Sequence, residues 1–435
     1  MFDLDPSFIV STILFVVIFG LIITERLHRT VIAFLGAVLM VLFGIVGDFY
    51  HPADAIAAID FNTIGLLAGM MLLVATLEPT GFFQYLGILT AKKTKGNPWL
   101  LVVALGTVTT LLSFILDNVT TIILIVPVTI IIARILKISP IPILMAEALL
   151  SDTGGVATLV GDPPNIMIGS AAGFSFNDFL THSLPVVFFA WLATLVTLKF
   201  VYRKELQHQP QNVEKLMKMD ERKAITDMAT LRRIMVILVG VVVLFFLHDK
   251  LHLQPSMVAL LGASVALLFV SPCNDPQKIL EKVELSVLVF FASLFVIVGG
   301  LEHAGVLELL ADFMIQGAGS NIVMTAIVVL WSAAILSAIV DNIPLTVAMI
   351  PVIAHLETQG VPVNLLWWAL VFGVGFGGNG SPIGSTANVI VVAKSEQTDQ
   401  PITFLTWLKA GSSTMLVCLV IATVAIVFFG DLLAR

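Results

Sequence analysis

The chain has 435 residues, of which 58% are hydrophobic and only 12% are charged, and its formal net charge is −7. Soluble domains carry about 25% charged residues, so a large part of the usual water-facing surface is missing, and nucleic-acid binding has no support. Apolar runs such as 8–24, 31–46 and 415–430 are comparable to the roughly 17 to 25 residues that cross a bilayer. We therefore predict an all-α polytopic membrane protein.

Basic residues indicate the sides of the predicted membrane spans. They cluster around Arg29, at 92–95, in the segment 203–233, and at Lys278 and Lys282. Placing these clusters in the cytoplasm puts both chain termini outside the inner (plasma) membrane. The same assignment makes two segments re-entrant hairpins. The hairpin at about 98–136 enters from the cytoplasm, and the hairpin at about 320–355 enters from outside.

The order of these segments predicts two inverted repeats. An N-terminal repeat (1–202) and a C-terminal repeat (234–435) are joined by a cytoplasmic linker (203–233), and each repeat has about five spans plus a hairpin. An odd number of crossings gives the second repeat the opposite orientation. Asp117-Asn118 and Asp341-Asn342 match at an offset of 224 (341 − 117), which supports the duplication.

Each predicted repeat contains one apolar stretch that is unsuited to a continuous helix. Residues 152–165 include three glycines and Pro163-Pro164, and residues 375–388 are similarly rich in glycine. Gly and Pro disfavour helix interiors, so we predict broken spans at about 143–170 and 363–392. Unwound backbone is tolerated at membrane depth where it is buried in protein or lines a wet cavity, and such half-helix ends can bind ions.

The hairpin tips and the two breaks are predicted to form one oxygen-rich site. A carboxylate at membrane depth is costly and marks function, so Asp117 and Asp341 are the predicted proton-coupling groups. The predicted substrate- and ion-binding residues are Asp117, Asn118, Thr121, Gly161, Asp162, Asn165, Asp341, Asn342, Thr346, Asn379, Ser381 and Asn388. Neither tip motif nor either break contains Lys or Arg, which favours a cationic or neutral substrate.

Structural roles are the alternatives for some of these side chains. Capping of the following helix is an alternative role for Asp117, Asp341 and Asp162. Asp152 is a weaker candidate for carrying a proton. Glu147 is predicted to lie at the membrane interface, and His248 at the protein surface.

At these motifs the chain resembles the ion transporter superfamily, and it is most similar to the branch of ArsB-type arsenite permeases, the melanosomal P protein and NhaD-type sodium–proton antiporters. The most specific segments are 116–121, 154–165, 341–344 and 377–384. The resemblance implies elevator-type alternating access, homodimers in many members, and arsenite or antimonite efflux as one common bacterial activity. In related dicarboxylate carriers Ser stands where this chain has Asp117 and Asp341, which disfavours dicarboxylate transport.

The leading functional prediction is a proton-coupled secondary transporter that exports arsenite or antimonite. A Na⁺/H⁺ antiporter, an organic-anion (dicarboxylate) carrier and a channel are the alternatives. We predict no enzyme activity, cofactor or metal site, because the sequence has no nucleotide-binding loop, metal-ligand spacing or nucleophile–base pair. The expected partners are membrane lipid, protons and a small inorganic substrate, which includes Na⁺, and an ATP-driven mode would require a separate ATPase subunit.

Overall fold

The computed structural model describes residues 5–24, 27–270, 275–308 and 321–434, and all regular secondary structure in these ranges is helical. Eight helical segments of the described ranges are long and apolar enough to cross a membrane. This confirms the predicted all-α polytopic class. The predicted start of the second hairpin, residue 320, lies outside the described residues.

The first half is a series of helices, several of which begin at a capping side chain. They are α1 (Pro6–Ile23), α2 (Arg29–Val46), α3 (Pro52–Ala57), α4 (Phe61–Leu77), α5 (Phe82–Lys93), α6 (Pro98–Ser113), α7 (Asn118–Leu136), α8 (Ile141–Gly155), α9 (Pro163–Ala172), α10 (Phe176–Asp178) and α11 (Leu184–Val201). At α4, for example, Asp60 accepts hydrogen bonds from the N–H groups of Asn62 (2.9 Å) and Thr63 (3.3 Å). Such caps satisfy backbone donors that the helix leaves free.

The second half follows a comparable order. Its helices, preceded by the short linker helix α12 (Val213–Met217), are α13 (Met228–Leu247), α14 (Pro255–Val270), α15 (Pro276–Leu280), α16 (Leu285–His303), α17 (Ile322–Ile339), α18 (Asn342–Thr358), α19 (Asn364–Gly377), α20 (Thr386–Ser395) and α21 (Phe404–Leu433). Helix α13 begins earlier than predicted, because Asp227 caps it by accepting from the Ala229 and Thr230 N–H groups, both at 3.0 Å. Residues 228–233 are thus helical.

The helices pack as two groups. In the flanking group, α4 packs on α14 and α2 packs on α16, with α1 and α13 beside them. In the central group, α6 packs on α8 and α17 on α19, while α7 contacts α20 and α18 contacts α9. Helices α11 and α21 pack together and against the central group. The pairs α4–α14 and α2–α16 each join one helix of either half, and so do α7–α20 and α18–α9. Two related repeats would produce such reciprocal pairs. The opposite membrane orientation of the repeats stays a prediction.

Bulky apolar side chains are exposed on the outer faces of several long helices. Examples are Val31 on α2, Phe200 on α11, Val236 on α13 and Leu268 on α14. Water disfavours so much exposed apolar surface, whereas lipid tails solvate it. These faces therefore identify the lipid-contacting side of the molecule.

The linker is held by hydrogen bonds both to the first hairpin (hairpin 1, α6 and α7; hairpin 2 is α17 and α18) and to the flanking group. The Gln211 N–H donates to the Leu136 carbonyl at the end of α7 (2.8 Å), and the Thr226 N–H donates to the Thr80 carbonyl after α4 (3.0 Å). Lys92 Nζ donates to Glu221 Oε2 (2.6 Å) and to the Met219 carbonyl (2.8 Å). The linker is therefore a strap, that is, a segment held against the membrane helices by hydrogen bonds along residues 211–226.

We expect Lys92→Met to loosen this strap. The Lys92 ammonium donates a hydrogen bond to Glu221 and lowers the pKa of that carboxyl below its usual value. Because the folded-state pKa is lowered, the tie is fully present above the ordinary glutamate pKa of about 4.3 and is lost as pH falls through the lowered pKa. Hydrogen–deuterium exchange of residues 219–226 at pH 7 should be faster in the variant.

The matched control for this prediction is Lys93→Met, since Lys93 is exposed at the next position. Its exchange should equal that of the wild-type protein at every pH. Equal exchange in the Lys92 and Lys93 variants would contradict a stabilising role for the Lys92–Glu221 contact.

Candidate ion-binding site between the hairpin tips

Both predicted broken spans are interrupted. Helix α8 ends at Gly155 and α9 begins at Pro163, while α19 ends at Gly377, a short helical turn covers Gly378–Gly380, and α20 begins at Thr386. Each break is held by one amide side chain. Asn165 Nδ2 donates to the carbonyls of Gly155 (3.0 Å) and Thr158 (2.8 Å). Asn388 Nδ2 does the same to Gly378 (2.9 Å) and Ser381 (3.3 Å).

The two hairpin tips place their aspartates differently. Asp117 caps α7 by accepting from the Thr120 N–H (2.8 Å) and hydroxyl (2.6 Å), so the capping alternative holds for this residue. Asp341 accepts from the Ile343 N–H at the start of α18 (3.1 Å) and from the Thr386 hydroxyl (2.8 Å). Capping therefore occupies only part of each carboxylate.

The tip asparagines meet at Asp162. Asn118 Nδ2 donates to Asp162 Oδ1 (3.3 Å), and Asn342 Nδ2 lies 3.4 Å from Asp162 Oδ2. All three side chains are buried. Asp162 makes no capping hydrogen bond to α9. The first break therefore supplies a carboxylate that touches both hairpin tips, and the capping interpretation of Asp162 is wrong.

Asp152 is a central residue that the sequence undervalued. Its Oδ1 accepts from Asn118 Nδ2 (2.9 Å) and from the Ser385 hydroxyl (3.1 Å), so it joins the first tip to the second break. Its position one turn before Gly155 was the available signal, but the partner Ser385 is 233 residues away. Only folding shows that Asp152 and Asp162 share the Asn118 amide.

Four of the remaining predicted ligands already make hydrogen bonds, two of them local and two to more distant parts of the chain. The Thr346 hydroxyl donates to the Asn342 carbonyl (2.8 Å) within its own helix, and the Ser381 hydroxyl accepts from the Ile383 N–H (3.2 Å). Asn379 Nδ2 donates to the Thr153 hydroxyl across the two breaks (3.0 Å). Gly161 packs against the first hairpin, where its carbonyl accepts from the Ser113 hydroxyl (3.5 Å).

Several buried oxygen atoms at the tips and breaks have no hydrogen-bond partner in the described part of the chain. These atoms are Asn118 Oδ1, Thr121 Oγ1, Asp152 Oδ2, Asn165 Oδ1, Asn379 Oδ1 and Asn388 Oδ1. A buried polar atom without a partner is costly. Since amide and carboxylate oxygens accept hydrogen bonds and bind cations, these atoms suit a cation or a hydroxyl donor.

A cation lies at the second tip, although neither tip motif nor either break contains Lys or Arg. Arg29 Nη1, at the start of α2, forms an ion pair with Asp341 Oδ2 (2.9 Å) and donates to the Thr386 hydroxyl (2.8 Å). Arg29 lies 312 residues from Asp341 in sequence, outside both tip motifs. Among the described residues, no ion pair of this kind reaches Asp117, Asp152 or Asp162.

A cavity of about 260 Å³ leads to the tips from one end of the molecule. Its lining includes Arg29, Asp117, Thr120, Glu284, Ile343 and Thr386, so it reaches both hairpins. Its rim contains the Lys282–Glu78 ion pair (2.8 Å). A second cavity between the two groups, of about 210 Å³, is lined by Asp60, Glu302 and Pro351 but by no residue of the tips. This cavity therefore reaches the hairpin tips from the end that carries Arg29 and Lys282.

One further sequence interpretation is wrong, and one stays a prediction. Glu147 is fully buried where α7 packs on α8 and the Thr129 hydroxyl donates to its Oε1 (2.5 Å), and its location at the membrane interface stays a prediction. His248 is buried rather than exposed, because its Nε2 accepts from the Phe176 N–H (3.1 Å). Both residues lie close to a chain turn in sequence. The preceding helix α7 packs over Glu147, whereas His248 is buried beside Phe176, which lies 72 residues away.

Comparison with known proteins shows extensive similarity to transporters. The sequence profile of the citrate transporter family matches residues 19–373. An uncharacterised transporter of Mycobacterium tuberculosis is 38% identical over 421 residues, which cover 96% of this chain and 97% of the relative. The human P protein is 28% identical over 95% of this chain, which spans 59% of the P protein. The YdaH transporter of Alcanivorax borkumensis shares the fold, with a TM-score of 0.61 at 15% identity over 94% of this chain and 100% of that one.

Proposed function

The chain belongs to the citrate transporter family of the ion transporter superfamily, and from this premise we propose that it exchanges a small cation, Na⁺, for protons. It is a multi-span membrane transporter and not an enzyme. The proposed site lies at the hairpin tips and breaks, with Asp117, Asp152, Asp162 and Asp341 as its carboxylates. Asp117 and Asp341 are the proposed proton-coupling groups.

The observation that carries this proposal is the set of buried oxygen atoms without partners. They come from both hairpin-break units, at Asn118 and Asp152 in one and at Asn379 and Asn388 in the other. Carbonyl and carboxylate oxygens at half-helix ends coordinate Na⁺ or H⁺ in transporters with broken helices. A buried carboxylate without a cationic partner needs a proton or a cation to offset its charge. One-for-one exchange of the two ions would keep the net charge of the centre constant throughout the cycle.

The position of the cavity that reaches the tips supports alternating access. The tips belong to the central group, and the rim residues Arg29, Glu78 and Lys282 belong to the flanking group or its adjoining turns. Sliding of the central group along the flanking group would close this cavity and open the opposite one. We propose that this elevator-type movement carries the site across the membrane, with the described conformation open towards the cytoplasm.

Arsenite or antimonite efflux is the second candidate function. Neutral arsenous acid carries three hydroxyl donors, and the unpartnered amide and hydroxyl oxygens at Asn118, Thr121 and Asn388 suit such donors. An organic anion fits less well. Arg29, the guanidinium at the tips, is already paired with Asp341.

Proteoliposomes loaded with a pH-sensitive dye test the proposal. We expect a Na⁺ pulse to change the internal pH, and we expect Asp117→Asn and Asp341→Asn to reduce this signal at least about tenfold, because each removes a carboxylate that can exchange its proton for a cation. Parallel pulses of arsenite and of citrate identify the other candidates. Asp431→Asn, at an exposed position of α21, is the matched control.

The outcomes separate the hypotheses. A pH response to arsenite alone would replace Na⁺ exchange with arsenite efflux, and labelled citrate uptake would indicate an organic-anion carrier. Ion flux that needs no proton gradient and persists in both Asn variants would indicate a channel and contradict the proposal.

A further inference from the structure

Arg29 joins the flanking group to the central group across the cavity. Its Nη1 contacts Asp341 Oδ2 at the tip of hairpin 2 (2.9 Å) and the Thr386 hydroxyl at the start of α20 (2.8 Å). On its other side the guanidinium lies 5.2 Å from the ring centroid of Phe290 on α16. The side chain is thus held by flanking helices while it binds the central group.

This contact places a cation on one of the proposed site carboxylates. The bound Asp341 oxygen is the one that also accepts from Thr386 (2.8 Å). Arg29 and Thr386, which both bind Asp341, line the cavity, and the Asp341 side chain is itself 16% exposed. A cation that enters from the cavity therefore meets a carboxylate already neutralised by a tethered guanidinium.

The arrangement exists in only one half of the protein. Asp117, the counterpart of Asp341, accepts hydrogen bonds from Thr120 and has no ion pair within the described ranges. At the repeat offset of 224, the position equivalent to Arg29 is Leu253 (29 + 224), which cannot carry charge. The tethered cation therefore distinguishes the end of the molecule where the cavity is open.

We propose that Arg29 is a positioning residue that competes with the transported cation for Asp341 and drives its release into the open cavity. In this conformation the guanidinium replaces the cargo at Asp341. When the central group slides away from the start of α2, the guanidinium no longer reaches the tip, and Asp341 becomes free for a cation from the opposite side. This inference rests on the proposed cation exchange.

Steady-state kinetics of Arg29→Gln test the competition. With the competitor removed, the Na⁺ concentration for half-maximal exchange at the open side should fall about tenfold, and kcat should fall because release becomes slower. If Arg29 only stabilised the fold, the variant would give a lower folded yield, but its Na⁺ affinity would not rise while its turnover falls. Arg203→Gln removes an exposed guanidinium outside the site and should change neither constant.

A second variant keeps the test decisive if Arg29→Gln fails to fold. Arg29→Lys keeps the charge but replaces the planar guanidinium, whose Nη1 contacts the Asp341 and Thr386 oxygens, with a compact ammonium. It should show a smaller change in the same direction. An unchanged Na⁺ affinity and turnover in whichever variant folds would overturn the proposal.

Hydrogen exchange separates this inference from the proposed function. Without Na⁺, amides 341–346 should exchange faster in Arg29→Gln than in wild type, because the tip loses its tie to α2. If the wild-type protein transports no cation, the proposed function fails. Faster hydrogen exchange in Arg29→Gln would then still support the Arg29–Asp341 contact, but competition with a transported cation would be refuted. Unchanged exchange would overturn the tie itself.

Discussion

Replacing Asp162 by Asn is expected to abolish most cation-coupled transport without unfolding the protein. Asp162 is the carboxylate that both tip asparagines contact, at 3.3 Å from Asn118 and 3.4 Å from Asn342. Loss of one partner from a buried charge contact costs about 2–5 kcal/mol, which corresponds to at least about 30-fold weaker cation binding. Isothermal titration with Na⁺ and the pH-dye assay measure the two effects.

Thermal unfolding distinguishes this effect from a structural one. An amide oxygen at the Oδ1 position can still accept from Asn118 (3.3 Å) and Asn342 (3.5 Å), and the substitution removes a charge that is buried without an ion-pair partner in the described chain. The unfolding midpoint of Asp162→Asn should therefore be equal to or higher than that of wild type. Unchanged Na⁺ affinity would contradict a central role for Asp162, and Asp431→Asn is again the control.

Replacing Gly161 by Ala is expected to destabilise the first break and to reduce transport strongly. An added Cβ would lie 2.5 Å from the Gly155 carbonyl oxygen and 2.6 Å from that of Ser113. Both atoms are backbone, so relief requires movement of the break or of hairpin 1. Such overpacking costs about 1–3 kcal/mol. Thermal unfolding in detergent measures this loss, and the pH-dye assay reports the accompanying distortion of the site.

The equivalent glycine of the second half offers an internal comparison. At Gly384 an added Cβ would lie 2.5 Å from the Gly378 carbonyl oxygen and 2.9 Å from that of Ser337. We therefore expect Gly384→Ala to have a similar effect. Gly240→Ala is the control, since nothing lies within 4 Å of its added Cβ and Ala favours helix. Wild-type stability in both break variants would contradict the close packing of the breaks.

Residues at equivalent positions of the two halves make equivalent contacts. Gly155 and Gly161 approach each other as Gly378 and Gly384 do, at the predicted offset of 223 (378 − 155 and 384 − 161). Asn165 and Asn388 also hold their breaks through the same pair of carbonyl positions. Contacts of this type can be predicted from the sequence, because the residues that make them lie within one broken helix and are close in sequence.

The site itself was only partly predictable. Asp117, Asn118 and Asn342 are exceptional in apolar runs, and this alone indicated a functional centre. However, the amide donors of Asn165 and Asn388 hold the backbone, so only their oxygen atoms remain for a ligand. A sequence motif does not show which atom of an amide is already used.

By itself the sequence determined the membrane class, the hairpin tips and the broken helices, because these follow from apolar length, helix-breaking residues and isolated polar positions. Only the tertiary structure decided that Arg29 pairs with Asp341, that Asp152 and Asp162 share Asn118, and that Glu147 is buried. The Arg29–Asp341 contact spans 312 residues and depends on how the flanking and central groups pack. No local pattern contains that information, since charge balance at a buried site is a property of the assembled helices.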